Sequence, residues 1–123
     1  MKIDASKLNR AIKKGFEQTV KNFANQCTEE IESEKWQWDG ITHRSNGQVV
    51  GSPRDIVDTG ELRDSQAILI EGNKASVDYS AEHAVKVHEG SPADNYPARP
   101  FMTSAAQAKN WNKELAKNIQ KNL

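Results

Sequence analysis

The chain has 123 residues, enough for one domain, and 36% of them are hydrophobic while 28% are charged. A mean hydropathy of -0.82 predicts a thin core, with helices extended into water or burial completed by neighbouring subunits. Seventeen basic and seventeen acidic side chains cancel, which argues against a general nucleic-acid binder. The single cysteine, Cys27, excludes an intrachain disulfide and a cysteine-rich zinc site. No apolar run has the length of a signal peptide or membrane span, so we expect a soluble protein made in a cytoplasm.

A long amphipathic helix is predicted from Asp4 to about Trp36, with Asp4 or Ser6 as its cap. Its apolar residues are three or four positions apart and form one stripe: Leu8, Ile12, Phe16, Val20, Phe23, Cys27 and Ile31. Gly15 lies inside this helix at a cost of about 1 kcal/mol relative to alanine. We interpret Gly15 as a tolerated, exposed glycine, and a close contact with another backbone is the alternative.

The charges of this helix are sorted against its dipole. Basic residues come first and acidic residues last: Lys7, Arg10, Lys13, Lys14 and Lys21, then Glu29, Glu30, Glu32 and Glu34. Each such charge costs a few tenths of a kcal/mol near an exposed helix end. We favour two solvated patches, because exposed charges contribute little, and the alternative is a head-to-tail contact between copies.

A projecting hairpin arm is predicted after the helix. Trp36 and Trp38 alternate with a polar residue, as in a short half-buried strand. Asn46 and Gly47 follow a strand-like run and adopt positive φ easily, as the centre of a tight hairpin turn requires. Pro53 ends the arm, since proline cannot donate to a strand ladder. The polar tip supplies the candidate partner contacts Arg44, Asn46, Gly47 and Gln48.

A small antiparallel sheet is predicted next. A turn at Asp58, Thr59 and Gly60 leads to Leu62, which anchors the loop to the core. Strand candidates run over residues 65–70 and 75–79, and Gly72 and Asn73 mark the hairpin between them.

Residues 81–89 are ambiguous between a helical turn and a strand. Val85 and Val87 alternate with polar residues, which favours a strand that ends at Gly90.

The segment from Pro97 to Pro100 is predicted to be extended, because a residue before proline avoids the α region. Arg99 is fixed between two prolines and can form a bidentate ion pair with a carboxylate, either Glu89 or Asp58 of the same chain or a carboxylate of another subunit. Pro100 suits the first turn of a helix. Apolar residues then repeat at helical steps: Phe101, Met102, Ala105, Ala108, Trp111, Leu115 and Ile119.

The predicted order indicates a single α+β domain. It has an N-terminal helix over residues 1–36, a hairpin arm over 37–53, the sheet and its loops over 54–100 and a C-terminal helix over 101–123.

Candidate catalytic and metal-binding groups are few. His83 and His88 are five residues apart, which suits neither one helix face nor one strand face, so we predict no metal site even with Glu82 and Glu89 beside them. Cys27 lies on the apolar stripe and is predicted to be inert packing. Ser65 and Ser104 lack the sequence context of a catalytic nucleophile. The tryptophans are spaced as core residues rather than as residues that stack on nucleic-acid bases.

Four motifs follow one another between the two terminal helices. They are Thr59-Gly60-Glu61-Leu62-Arg63-Asp64-Ser65, Tyr79-Ser80-Ala81, Val87-His88-Glu89-Gly90 and Pro97-Ala98-Arg99-Pro100-Phe101. Their order resembles the neck, or head-tail joining, family of minor virion proteins of long-tailed bacteriophages. The resemblance covers the C-terminal two thirds of the chain, and the last motif is its most specific part. Ser80 departs from the commoner alanine, and the segment at Gly90 is shorter than usual.

The resemblance implies a non-enzymatic structural protein, a neck or tail-completion component without cofactor or metal, that assembles as a ring where head and tail join. It implies structural roles for the motif residues Thr59, Gly60, Leu62, Ser65, Tyr79, Glu89, Gly90, Pro97, Arg99, Pro100 and Phe101. The implied partners are copies of the chain and portal-adaptor, tail terminator or tail tube proteins, with no membrane and no specific nucleic acid, although DNA can pass through the ring. The implied location is the virion neck or tail, after assembly in the host cytoplasm.

Two other function classes stay open. A small nucleic-acid-binding module of phage or prophage origin would use the lysines of the first and last helices as a basic face. A small hydrolase would need a convergent polar pocket near His83 or His88.

Overall fold

The computed structural model describes residues 4–33, 42–43, 49–50, 61–81, 84–90 and 98–123. Over these ranges the chain forms five helices and two separate two-stranded antiparallel sheets, in the order α1 (Ser6–Ile31), β1 (Thr42–His43), β2 (Val49–Val50), α2 (Glu61–Asp64), β3 (Gln66–Glu71), β4 (Lys74–Tyr79), α3 (Ala84–Glu89), α4 (Phe101–Ala108) and α5 (Trp111–Lys121). The predicted α+β class is confirmed. None of the helices in these ranges is both long and apolar enough to cross a membrane.

The N-terminal helix is confirmed with shorter bounds, since α1 ends at Ile31 rather than near Trp36. At its start, Asp4 Oδ1 accepts a hydrogen bond from the backbone N of Ser6 at 2.9 Å. This bond lowers the pKa of Asp4 and satisfies one of the amides that a helix start leaves without a partner.

The buried face in the first half of α1 differs from the predicted stripe. The buried residues are the small ones, Ala11, Gly15 and Thr19, while Leu8 is 46% and Ile12 43% exposed. A Cβ added at Gly15 would lie 2.6 Å from the backbone N of Ile119 in α5. The interpretation of Gly15 as an exposed glycine is therefore wrong, and the alternative, a close contact with another backbone, is what the structure has.

Helices α1 and α5 run antiparallel. Phe23 meets Trp111 at the start of α5 edge to face, with ring centroids 5.3 Å apart, while Gly15 meets Ile119 near the end of α5. Their contact also holds a buried polar pair, in which Asn118 Nδ2 donates to Thr19 Oγ1 at 3.0 Å. The end of α5 thus lies beside the first half of α1.

The β3–β4 hairpin is confirmed close to its predicted bounds. Gln66 pairs with Tyr79 at its base and Glu71 with Lys74 at its tip, so that Gly72 and Asn73 form a two-residue turn. Gly72 has φ 60, a conformation that glycine adopts without a steric penalty. Gln66 Nε2 donates to the backbone O of Ala24 at 2.9 Å, which fixes the base of the hairpin on α1.

The arm is a second antiparallel pair in which Thr42 pairs with Val50 and His43 with Val49. The predicted antiparallel pairing of the arm is confirmed. The turn predicted at Asn46 and Gly47 lies outside the described residues.

Residues 84–89 form helix α3, so the prediction of a strand there is wrong. The buried residues Ala84 and Val87 are three apart, and Val85 is 71% exposed. A spacing of three buries one side of a helix, whereas a strand would bury alternate residues. Ala84 and Val87 fill the core from that one side, which outweighs the local alternation of polar and apolar residues.

The single C-terminal helix predicted over residues 101–123 is two helices. Lys109 is extended, with φ -143 and ψ 161, and Asn110 caps α5 by accepting a hydrogen bond from the backbone N of Lys113 at 3.1 Å. Trp111 Nε1 donates to the backbone O of Ala105 at 3.0 Å and holds the corner closed. Asparagine is a favoured residue at this capping position, and it ends the helical pattern here.

Candidate functional site

Residues of the recognised motifs meet at the C-terminal end of α1. Leu62, Val87 and Phe101, from three different motifs, are buried and pack with Ile31 and Ala84, and Tyr79 from a fourth motif lies against them. The ring of Phe101 meets Tyr79 edge to face at 5.1 Å. The site that these motifs build is the core that joins α1, α2, the hairpin, α3 and α4.

The last motif turns the chain into α4. Pro100 has φ -76 and ψ 71, and the backbone N of Phe101 donates to the O of Arg99 at 2.8 Å. These values are those of an inverse γ-turn, and the proline ring fixes its φ in advance. Pro100 therefore precedes the helix rather than beginning its first turn.

Arg99 is only 2% exposed, so its guanidinium lies within its own chain. Its backbone N donates to the O of Val87 at 2.9 Å, which ties the motif to α3. Of its two predicted intrachain partners, Asp58 lies outside the described residues and Glu89 contacts His88 instead, with Nδ1 and Oε1 2.8 Å apart. Arg99 is therefore a structural residue in the interior of the domain rather than a contact residue on its surface.

The smaller motif residues have local roles. Ser65 closes the α2 turn, since its Oγ donates to the backbone O of Leu62 at 2.8 Å. Gly90 ends α3 with φ 78, which a residue with a side chain rarely adopts. The remaining predicted residues lie outside the described ranges: Thr59, Gly60, Pro97, Arg44, Asn46, Gly47 and Gln48.

The described residues contain no group of three or more side chains able to hold a metal ion. His88 Nε2 is buried without a hydrogen-bond partner there, and the His88 ring packs edge to face on Phe101 at 5.3 Å. His83 and Glu82, which were also considered as metal ligands in the sequence, lie outside these ranges. Where it is described, His88 is a packing residue.

Cys27 is fully buried, as its place on the apolar stripe predicted. Burial raises the pKa of its thiol to about 11, although a hydrogen bond with Tyr79 opposes the shift. Burial likewise raises the pKa of Tyr79 to about 12. Both groups are protonated at neutral pH, and a thiol in this state is a poor nucleophile.

Several buried polar contacts were missed from the sequence. Thr19 Oγ1 donates to the backbone O of Gly15 at 2.7 Å and so orients the acceptor that Asn118 uses. Ser104 Oγ donates to the buried Glu30 at 2.9 Å and joins α4 to α1. The small residues at positions 11, 15 and 19, spaced by four, were the available signal for the close helix contact.

Two grooves flank the contact between α1 and α5. One, of about 340 Å³, is mostly apolar and is lined by Phe16, Val20, Phe23 and Trp111 on the helices and by Ala75 and Val77 on β4. The other, of about 480 Å³, is polar and is lined by Lys14, Lys21 and Lys121 with Gln18, Asn22, Asn118 and Asn122, and by Glu17 as its acidic member. The first extends the apolar stripe of α1, and the second is a basic surface.

Comparison of the chain with the models of known protein families, with curated proteins and with solved structures found no match. The resemblance to the neck family therefore rests on the sequence motifs alone.

Proposed function

We propose that the protein is a structural component of a phage virion, a neck or tail-completion protein that joins head and tail. It acts without catalysis or a cofactor. Its partners are other copies of the chain, in a ring through which DNA can pass, and portal-adaptor, tail terminator or tail tube proteins. It is made in the host cytoplasm and ends in the neck or tail of the virion.

One observation supports this proposal most directly: the motif residues form the frame of the domain. Leu62 and Phe101 are 1% exposed and Arg99 2%, and they hold α2, α3 and α4 at fixed angles on α1. Such residues determine shape and not reactivity. A virion protein that contacts neighbours on several sides must keep a fixed shape, and these buried residues keep the domain rigid.

The surface also fits a protein that is completed by neighbours. Leu8, Ile12, Leu69 and Val85 are each more than two fifths exposed, and the apolar groove opens between α1, β4 and the start of α5. Exposed apolar side chains and an apolar groove are typical of a surface that contacts protein. In a ring such contacts are heterologous, one surface meeting a different surface on the next copy.

The test is deletion of the coding sequence from the phage or prophage that carries it. We expect full heads and finished tails to accumulate separately, because the joint between them is missing, and electron microscopy of the lysate measures this. Supply of the wild-type chain from a plasmid is the control and restores joined particles. Joined, infectious particles without the chain would contradict the proposal.

The arm stays the predicted partner contact, with Arg44, Asn46, Gly47 and Gln48 at its tip. In the same complementation assay, a variant with Arg44, Asn46 and Gln48 changed to alanine should yield fewer joined particles. The purified variant should keep its helix content and unfolding midpoint. Full complementation by this variant would remove the arm from the proposed contact.

A nucleic-acid-binding module is the second candidate, and the basic groove favours it. Lys14, Lys21 and Lys121 lie together there with the amides of four neighbouring side chains. Phosphate contacts by lysine weaken steeply with salt. Retention on duplex DNA at 50 mM salt that is lost at 200 mM salt and on Lys14→Glu would support this candidate.

A further inference from the structure

The fold collects unpaired positive charge at one end of α1. Because α1 and α5 are antiparallel, the last turns of α5 bring their lysines to the first half of α1. The exposed lysines gathered there are Lys7, Lys14, Lys21, Lys117 and Lys121. Within the part of the chain that the structure describes, none of them forms an ion pair.

The opposite end of α1 is acidic. Glu29 is exposed and also has no ion-pair partner among the described residues. Glu32 and Asp64 share one cation, since Arg63 Nη1 lies 3.3 Å from Glu32 Oε1 and Arg63 Nε lies 3.2 Å from Asp64 Oδ1. Two carboxylates against one guanidinium leave this end with excess negative charge.

The two charged ends lie along the same exposed side of α1. Lys7, Lys14 and Lys21 are spaced by seven residues, which places them on one face of a helix, and Glu32, eleven residues after Lys21, continues that face. Glu29 lies one turn before Glu32 and to one side of the same face, about 80° round the helix from Lys21. This order opposes the dipole of α1, which has no acidic residue in its first turn and no basic residue in its last. The charges therefore do not serve the stability of their own helix.

We propose that copies of the chain associate head to tail, with the acidic end of one copy (Glu29, Glu32 and Asp64) held against the basic groove of the next (Lys14, Lys21 and Lys121). This rests on the proposed ring and names its contact. The two surfaces differ, so the contact repeats from copy to copy and closes where the rotation allows it. Opposite charges steer such partners together and reject the reversed orientation, in which like charges meet.

A second copy suits the basic groove better than nucleic acid does. The chain carries the matching acidic surface itself, and its formal net charge is zero. If the basic groove bound DNA, the unpaired carboxylate of Glu29 would have no positively charged partner in the complex. The acidic end is thus the observation that separates the two partners.

Charge reversal tests the contact by complementation. Lys14→Glu and Glu29→Lys should each lower the association constant on the order of tenfold, measured by sedimentation velocity at about 0.02 M salt. An equal mixture of the two variants should recover association, because every junction in an alternating chain is then attractive. Lys113→Glu and Asp78→Lys are the matched controls, since they make the same charge changes at exposed positions outside both ends.

Carbodiimide coupling identifies the atoms in contact, because it joins a lysine amine directly to a carboxylate. Lys14 and Glu29 are fifteen residues apart on one helix, about 22 Å, so a bond between them must join two copies. We expect coupled peptides that contain Lys14 with Glu29 or Glu32, formed at low salt and lost at 0.5 M salt, where charges are screened beyond a few ångströms.

The outcomes separate this inference from the function on which it rests. The head-to-tail contact is overturned if the protein stays monomeric at low salt, or if neither charge reversal changes its association. The deletion phenotype tests the proposed function independently of this result. DNA retention lost on Lys14→Glu with unchanged self-association overturns it in favour of nucleic acid. Loss in each variant with recovery in the mixture supports it.

Discussion

Gly15 sets the distance between α1 and α5 at the scale of a single residue. The position of its missing Cβ lies 2.6 Å from the backbone N and 2.8 Å from the Cα of Ile119. Backbone atoms of a packed helix cannot move aside as the end of a flexible side chain can. The helices can approach this closely only because position 15 has no side chain.

Gly15→Ala should therefore destabilise the protein. Alanine favours an isolated helix by about 1 kcal/mol over glycine, but the overpacked contact costs about 1–3 kcal/mol and forces the helices apart. Urea unfolding followed by circular dichroism measures the difference. Asn25→Ala, at an exposed site of α1, is the control and should gain a few tenths of a kcal/mol. An equal gain for Gly15→Ala would contradict the close contact.

Cys27 should make the free energy of unfolding depend on pH in the alkaline range. An unfolded thiol ionises near pH 9.0, whereas burial raises the pKa of folded Cys27 to about 11. Between these values the unfolded chain binds fewer protons, so stability falls as pH rises, and below pH 9 this group has no effect.

Urea unfolding at intervals from pH 8 to pH 11, on the wild type and on Cys27→Ala, isolates this contribution. The variant should be less stable at pH 8 but lose less stability with rising pH, because position 27 then has no thiol to ionise on unfolding. Parallel curves for the two proteins would show that Cys27 is not held as a buried thiol.

The contact between α1 and α5 carries a hydrogen bond that joins elements far apart in sequence. Thr19 Oγ1 accepts from Asn118 Nδ2 at 3.0 Å while it donates to the O of Gly15 at 2.7 Å. Both residues are buried, so removal of either leaves a polar group that water cannot reach. The bond therefore specifies the register in which α5 lies on α1.

A double-mutant cycle of Thr19→Val and Asn118→Ala should show coupling of about 1 kcal/mol in the free energy of unfolding. Thr28 is the matched control, because its Oγ1 also bonds a carbonyl one turn back, that of Ala24, without a partner on α5. Thr28→Val with Asn118→Ala should be additive. Additivity of both pairs would mean that the bond does not contribute across the helices.

The sequence predicted elements where local chemistry decides the structure. The β3–β4 hairpin was found because Gly72 and Asn73 suit a tight turn, and α1 was found from its apolar period. Prediction from the sequence failed where contacts between residues far apart in the chain determine the structure. Val85 and Val87 alternate like a strand, yet α3 forms because Ala84 and Val87 pack on Phe101 and Ile31, and α5 separates from α4 at the capping residue Asn110.

The face of α1 that contacts α5 could also not be predicted from the local sequence pattern. The apolar stripe led to Leu8 and Ile12 as core residues, but the helix turns its small residues toward α5 and leaves those two half exposed. Only the partner helix makes Ala11, Gly15 and Thr19 the better face, because they permit the close approach. The motif core was anticipated as structural, and its members meet although they are far apart in the chain.

At the scale of the whole molecule, the fold turns a neutral composition into two charged ends. Antiparallel packing adds the lysines of α5 to those of α1, so that the separation of charge is larger than α1 alone would give. Each copy thereby carries both halves of the proposed contact between copies. Such a contact strengthens association without lowering the solubility of the single copy, because both ends are polar.

Lys7→Glu should change stability and association in opposite directions. Lys7 lies in the first turn of α1, where the helix dipole favours a carboxylate over an amine by about 0.3–1 kcal/mol, so the folded monomer should be more stable. The same change removes charge from the basic end, so self-association at low salt should weaken. Urea unfolding of the dilute protein and sedimentation velocity of the concentrated protein measure the two effects separately.

Lys113→Glu is the matched control for this prediction. Lys113 is exposed in the first turn of α5, so its reversal should also stabilise a helix through the dipole, but it lies at the other end of α5 from Lys121. We expect the same gain in stability with association unchanged. If both variants gain stability and neither loses association, the reversed charges of α1 are solvated patches. A loss confined to Lys7→Glu would mean that the order of charge in α1 is maintained by contact between copies.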